Sequence, residues 1–253
     1  MPINFAKKPG IVAYLTAGDP GLAETRDIAL AAIDNGADVI ELGVPFSDPV
    51  ADGPVIQRAS ERAVARGVRL VDVLGVAKEL HKARPSAGLV IFSYLNPLLR
   101  IGLKNFCEQA SEADADGVLA TDMIVEEAAE YLEYMHANKL APIFLAAPTS
   151  PDARLQKIAA ASEGFVYAIS RMGITGTQDA VAGDASELVS RLRKFTTLPI
   201  AVGFGISNAE HVRAVGKFAD AAVIGSALVA LIERSESKDA AKAVGEFIAG
   251  LRA

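Results

Sequence analysis

The sequence predicts an α/β fold, a parallel eight-stranded (β/α)8 TIM barrel that takes in residues 1–253 as one domain, on three observations. Eight short runs rich in Val, Ile, Leu and Ala occur at 10–17, 37–44, 88–95, 116–121, 140–148, 164–170, 198–205 and 220–225. They are nearly continuous in apolar residues, as strands covered on both faces must be. Amphipathic helical patterns separate them, among them 24–35, 71–83, 126–138 and 209–217. Third, Gly36-Ala37-Asp38, Ala115-Asp116-Gly117 and Ala219-Asp220-Ala221 each precede a run and read as the tight helix-to-strand turn of a repeated unit. Eight such units in 253 residues fit a closed barrel. An open doubly wound sheet normally has fewer strands, and no G-x-G-x-x-G follows the first run.

Composition narrows the function classes. Half of the residues are hydrophobic, enough for a large core, and the net charge of −6 disfavours nucleic acid or an anionic membrane as partner. No apolar stretch approaches the roughly 20 residues of a membrane span. The N-terminal residues lack a signal-peptide pattern, because 11–17 reads as the first strand. Cys107 is the only cysteine, which excludes an intrachain disulfide and a cysteine-rich metal site. A cytoplasmic protein is expected.

In a barrel, chemistry gathers where strands run into the following loops. Three adjacent loops there are rich in small residues. Gly173-Ile174-Thr175-Gly176 follows the sixth run, Gly203-Phe204-Gly205 ends the seventh, and Gly225-Ser226 leads from the eighth into a helical pattern at 227–234. Glycine admits an anion close to backbone N–H groups, and a helix N-terminus adds its dipole. Any one of these loops is as readily an ordinary turn or cap. Three at neighbouring positions point to a phosphate site after strands 6, 7 and 8, without identifying the ligand.

Glu41 interrupts the second run close to its end. A carboxylate buried there must find partners or protonate, which suits a proton shuttle better than a satisfied core residue. Asp48 and Asp52 lie in turn-like contexts, and Asp52 reads more readily as a helix cap before Pro54 than as a catalyst. Lys78, Lys82, Lys139, Lys157, Lys194 and Lys217 all fall in helical or turn segments, so no strand-end lysine offers a Schiff base. His81, His136 and His211 are scattered on helical patterns and do not cluster for a metal. Carboxylate acid–base chemistry remains, or a cofactor invisible in the sequence.

The segment Glu41-Leu42-Gly43-Val44-Pro45-Phe46-Ser47-Asp48-Pro49-Val50-Ala51-Asp52-Gly53-Pro54 resembles the signature of the tryptophan synthase alpha chain family. Further matches are Tyr14-Leu15-Thr16-Ala17-Gly18-Asp19-Pro20, Ser93-Tyr94-Leu95-Asn96-Pro97, Ala147-Pro148-Thr149-Ser150 and Ser170-Arg171-Met172-Gly173-Ile174-Thr175-Gly176. Gly203-Phe204-Gly205-Ile206-Ser207 and Ile224-Gly225-Ser226-Ala227 also agree, so the resemblance spans nearly the whole chain in order. It implies a lyase that splits indole-3-glycerol phosphate into indole and glyceraldehyde 3-phosphate. Carried over by position, it makes Glu41 the acid–base residue and Asp52 the group that binds and polarises the indole N–H. It puts Tyr14 and Phe204 against the indole ring, Phe92, Leu119 and Leu145 in the apolar wall, and Tyr167 beside the glycerol chain. Gly176, Gly205, Gly225 and Ser226 are the implied phosphate ligands. Thr175 is implied to meet Asp52 when a lid at about 171–183 closes.

The resemblance also implies no cofactor on this chain and a beta-subunit partner in an α2β2 heterotetramer, met by loops at 45–54, 96–97 and 122–126. Three positions depart from the family pattern. Ile124 stands where a proline is usual, Met172 stands where small or polar residues are common, and the leading helix is expected to be short. None of these touches the two carboxylates. Other readings predict different behaviour: a stand-alone lyase turns over fast without a partner, a regulatory barrel is indifferent to Glu41→Gln, and a flavin barrel is yellow.

Overall fold

A computed structural model describes residues 3–5, 7–169, 178–203 and 205–252, the side chains of 178–183 excepted. The apolar runs form strands β1 (Gly10–Thr16), β2 (Val39–Gly43), β3 (Gly88–Ser93), β4 (Gly117–Ala120), β5 (Ala141–Ile143), β6 (Leu145–Ala146), β7 (Val166–Ile169), β8 (Ile200–Gly203) and β9 (Ala221–Ile224). The helices are α1 (Leu22–Asp34), α2 (Pro54–Ala65), α3 (Leu70–Ala83), α4 (Leu95–Ile101), α5 (Leu103–Glu112), α6 (Ala129–Ala137), α7 (Asp152–Ala161), α8 (Gln178–Leu192), α9 (Ala209–Val215), α10 (Ser226–Arg234) and α11 (Ala240–Leu251). All pairings are parallel, in the order β5-β4-β3-β2-β1-β9-β8-β7-β6.

The two ends of that order are consecutive in the chain, so the sheet closes on itself into the expected barrel. The run at 140–148 is nevertheless two short strands. Its lower half pairs with β4 and its upper half with β7, and Pro142 has no N–H to give a ladder. Phe144 bridges the halves, its carbonyl accepting the Tyr167 N–H at 3.1 Å. The helical pattern at 126–138 also divides, into a 3-10 turn at Val125–Glu127 followed by α6.

Strand alternation sorts the side chains onto two faces. Ile11, Leu15, Ile40, Leu42, Leu89, Ile91, Val118, Ile200 and Val202 pack outward against the helices. Val12, Val39, Val90, Leu119, Ile143, Phe165, Ala201 and Val223 fill the interior, with Ile3 and Phe5 against its lower end. Each fully buried Val, Leu or Ile contributes roughly 1.5–3 kcal/mol. The filled lower interior leaves the upper rim, where strands end, as the place for a site.

The three Gly/Ala-Asp turns have a shared function. The Asp38 carboxylate accepts the Ile11 N–H at 2.8 Å, Asp116 accepts that of Leu89 at 2.9 Å, and Asp220 accepts that of Ile200 at 2.9 Å. Each aspartate thereby satisfies a backbone donor at the start of the neighbouring strand and sets its register. The carbonyl of that same neighbour accepts the aspartate's own N–H in all three cases.

Candidate active site

Glu41 is the middle residue of β2, with Tyr14 on β1 and Val90 on β3 as its register partners. It is fully buried, and neither carboxylate oxygen has a hydrogen-bond partner among the described residues. Burial alone pushes its pKa up to about 8, which favours the protonated carboxyl at neutral pH. It lies in the second half of the apolar run at 37–44, as the sequence suggested, two residues before Gly43, the last residue of β2.

Gly43 and Gly203 make room for two phenols. A Cβ on Gly43 would lie 2.3 Å from the Tyr14 hydroxyl oxygen, and one on Gly203 would lie 2.3 Å from that of Tyr167. Tyr14 and Tyr167 therefore lean upward inside the barrel over glycines of the next strand. Thr16 Oγ1 donates to the Tyr14 hydroxyl at 3.4 Å. Burial raises both phenol pKa values first, and the carboxylates of Asp52 and Glu41, where ionised, raise them further. Both carboxylates thus act on the same two phenols.

The Phe92 ring meets Tyr14 edge-on at 5.0 Å. Phe92 and Leu119 face each other across β3 and β4, and Leu145 and Tyr167 across β6 and β7. All four belong to the inward-facing set. Tyr14, Phe92, Leu119, Leu145 and Tyr167 therefore share one apolar wall around Glu41.

Asp52 lies in the loop that follows β2. It caps nothing: the residue before α2 is Gly53, that helix has no side-chain cap, and Pro54 opens it without an N–H to satisfy. The Asp52 carboxylate instead accepts a hydrogen bond from the Tyr94 hydroxyl at 2.9 Å. Burial raises the Asp52 pKa, and the Tyr94 bond partly counteracts it. The loop is pinned elsewhere too. Ser60 Oγ accepts the Phe46 N–H at 2.8 Å and donates to its carbonyl at 2.9 Å, and Gln57 donates to the Asp52 carbonyl at 2.8 Å.

Gly225 precedes α10 and Ser226 opens it, exposed and with no side-chain cap on the helix N-terminus. The nearest side chains to a Cβ built on Gly225 belong to Ile56 and Tyr14, at 3.8 Å each, so this N-terminus overlooks the wall that holds Glu41. Gly205 is exposed, in the left-handed backbone region at φ 41°. Thr175, Gly176, Met172, Phe204 and most of the expected lid lie outside the described residues. No group of three or more metal-ligating side chains occurs among the described residues. His81, His136 and His211 sit on α3, α6 and α9, away from one another in the element order.

Sequence reasoning had no role for Tyr94. An aromatic just past a strand looks like ordinary core, and its bond to Asp52 spans 42 residues, which no local pattern signals.

A buried carboxylate inside a closed barrel, a second in the loop that follows the same strand and an open helix N-terminus at the rim fit a (β/α)8-barrel enzyme. The tryptophan synthase alpha chain family model matches residues 3–251. A tryptophan synthase alpha chain of Cupriavidus metallidurans is 45% identical over 246 residues, 97% of this chain and 93% of that one. One from Solibacter usitatus is 47% identical over 228 residues, 90% and 85% of the two chains. Among solved structures, one describing mutual activation in the tryptophan synthase α2β2 complex of Pyrococcus furiosus superposes with a TM-score of 0.91. It is 37% identical and covers 97% of this chain and 98% of that one. The chain belongs to the tryptophan synthase alpha chain family.

Proposed function

We propose that Glu41 is the acid–base residue and Asp52 the indole N–H acceptor in the cleavage of indole-3-glycerol phosphate to indole and glyceraldehyde 3-phosphate. The reaction is the carbon–carbon lyase activity of the family to which the chain belongs. The observation that carries the residue assignment is Glu41, fully buried and with neither oxygen partnered among the described residues. A protonated carboxyl poised near neutral pH can give its proton to indole C3. That makes an indoleninium, whose C2=N bond is the electron sink. The carboxylate left behind takes the proton of the glycerol hydroxyl next to C3. As the aldehyde forms, the C–C electron pair returns to the ring and restores indole. Glu41 ends protonated, as it began, and Asp52 stabilises the positive charge on nitrogen by accepting the N–H.

Tyr14 and Phe204 flank the ring in this reading, Phe92, Leu119 and Leu145 line the pocket, and Tyr167 lies along the glycerol chain. Gly176, Gly205, Gly225 and Ser226 hold the phosphate, helped by the uncapped start of α10. Thr175 meets Asp52 when the lid closes. The ring itself supplies the electron sink, so this chain needs no cofactor for the step. One closed sheet supports reading 1–253 as a single domain.

The same reading includes a beta-subunit partner in an α2β2 assembly and a cytoplasmic location. The α2β2 complex from Pyrococcus furiosus supports the partner. So do two apolar side chains on loops at the mouth, Val50, 84% exposed, and Ile124, 45% exposed. No helix among the described residues is long and apolar enough to cross a membrane.

The test is indole release by wild type, Glu41→Gln and Asp52→Asn, each with and without a tryptophan synthase beta chain. Slow release by wild type, accelerated by the partner and lost in both variants, is the expected result. Wild-type rates in Glu41→Gln would overturn the assignment.

A further inference from the structure

We propose that Tyr94 is a positioning residue for the reaction, fixing the orientation of the Asp52 carboxylate through a single donated hydrogen bond. The inference rests on the reading of Asp52 given above. Tyr94 follows β3 directly and is 3% exposed. Its hydroxyl oxygen accepts the Ala51 N–H at 3.0 Å, and its one proton goes to Asp52 Oδ2 at 2.9 Å. A phenol has a single O–H, so the incoming Ala51 bond leaves the proton aimed at the neighbouring carboxylate. The ring is held in turn against Phe46, at 5.3 Å and 34° between planes, and Ser60 grips both backbone groups of Phe46. Tyr94 therefore joins the rigid end of β3 to the loop that carries Asp52.

No other side chain hydrogen-bonds the Asp52 carboxylate among the described residues. Among the described residues, the titratable groups that face this pair are Tyr14 from β1, Tyr167 from β7 and Asp122 from the loop after β4, none of them a cation. Tyr94 thus supplies the stabilisation that the charged form of Asp52 receives, while burial works against that charge. A carboxylate that turns away cannot accept the indole N–H, and one that picks up a proton loses the charge that stabilises the indoleninium nitrogen. The loss then falls on turnover more than on binding, since the phosphate and the apolar wall lie elsewhere.

The test is Tyr94→Phe, which keeps the ring against Phe46 and removes only the hydroxyl. The expected result is a kcat lower by roughly tenfold, the size of one charge-assisted hydrogen bond, with KM for indole-3-glycerol phosphate nearly unchanged. The acid limb of the kcat/KM profile moves to higher pH, because Asp52 loses the bond that favours its ionised form. In an Asp52→Asn background the same substitution adds little further loss. Lower stability with an unmoved acid limb and normal kcat would make Tyr94 merely structural and overturn the proposal. Equal fold-losses in both backgrounds would also overturn it. Should Asp52→Asn be too slow to assay, the acid limb of the single variant decides alone. If Asp52→Asn keeps wild-type turnover, the reading of Asp52 itself fails, a result distinct from failure of the Tyr94 link.

Discussion

Glu41 holds a proton in the folded chain that an unfolded chain would release. Its ordinary pKa of 4.5 rises to about 8 on burial, so between those values the folded state binds more protons than the unfolded state. The contribution of Glu41 to stability is therefore fully present below pH 4.5 and declines as pH rises towards 8. Urea unfolding of wild type and Glu41→Gln at pH 5, 6, 7 and 8 should show the wild type losing about 1 kcal/mol per pH unit relative to the variant. Parallel curves would mean that Glu41 titrates normally. The residue was legible in the sequence because a charge inside an apolar strand has no bland environment. Asp52 was legible only through the family resemblance, since Asp-Gly-Pro is ordinary turn chemistry. The structure removes the capping alternative: the helix start is Gly53-Pro54, and the carboxylate turns to Tyr94 instead.

Among the elements, α2 and α10 are joined by an ion-pair network that also reaches the loop after β1. Arg62 of α2 binds the buried Asp19 through two hydrogen bonds, 2.9 and 2.6 Å long, and reaches Glu233 of α10 at 2.7 Å. Arg58, one turn earlier, binds Glu233 with two further bonds. The helix that follows the Asp52 loop is thus tied to the helix whose N-terminus overlooks the site. Arg62→Ala leaves Asp19 buried without its main partner, and the expected destabilisation is roughly 2–3 kcal/mol, measured by urea unfolding. A change under about 0.5 kcal/mol would show that Arg66, 3.5 Å from Asp19, takes over the charge. The helices and strands were legible from periodicity. The break at Phe144 was not, because an apolar run shows length and hides a change of pairing partner. The aspartate turns were seen as turns. Their bonds to Ile11, Leu89 and Ile200 were hidden, since the partners lie 27, 27 and 20 residues away.

At the scale of the whole molecule, one residue of the last turn ties several elements together at the lower face. Arg252 donates to the Gly36 carbonyl at 3.0 and 2.6 Å, to the Pro9 carbonyl at 2.8 Å and to the Asp38 carboxylate at 2.5 Å. It clasps the start of β1, the turn before β2 and the end of α11 together, and α11 in turn packs along α1. Arg252→Ala should lower unfolding stability by about 2–4 kcal/mol without changing KM, because the clasp is at the opposite end of the barrel from the site. Loss of turnover at full stability would contradict that separation of ends.

That no described residue meets the oxygens of Glu41 also has an evolutionary consequence. An apolar residue of similar volume in its place would fill the same space without two stranded polar atoms. A population of variants propagated only for resistance to heat would therefore drift away from glutamate at position 41, and under the role proposed for it the hardiest survivors would be inert. In that role, persistence of glutamate there requires continued selection for indole release.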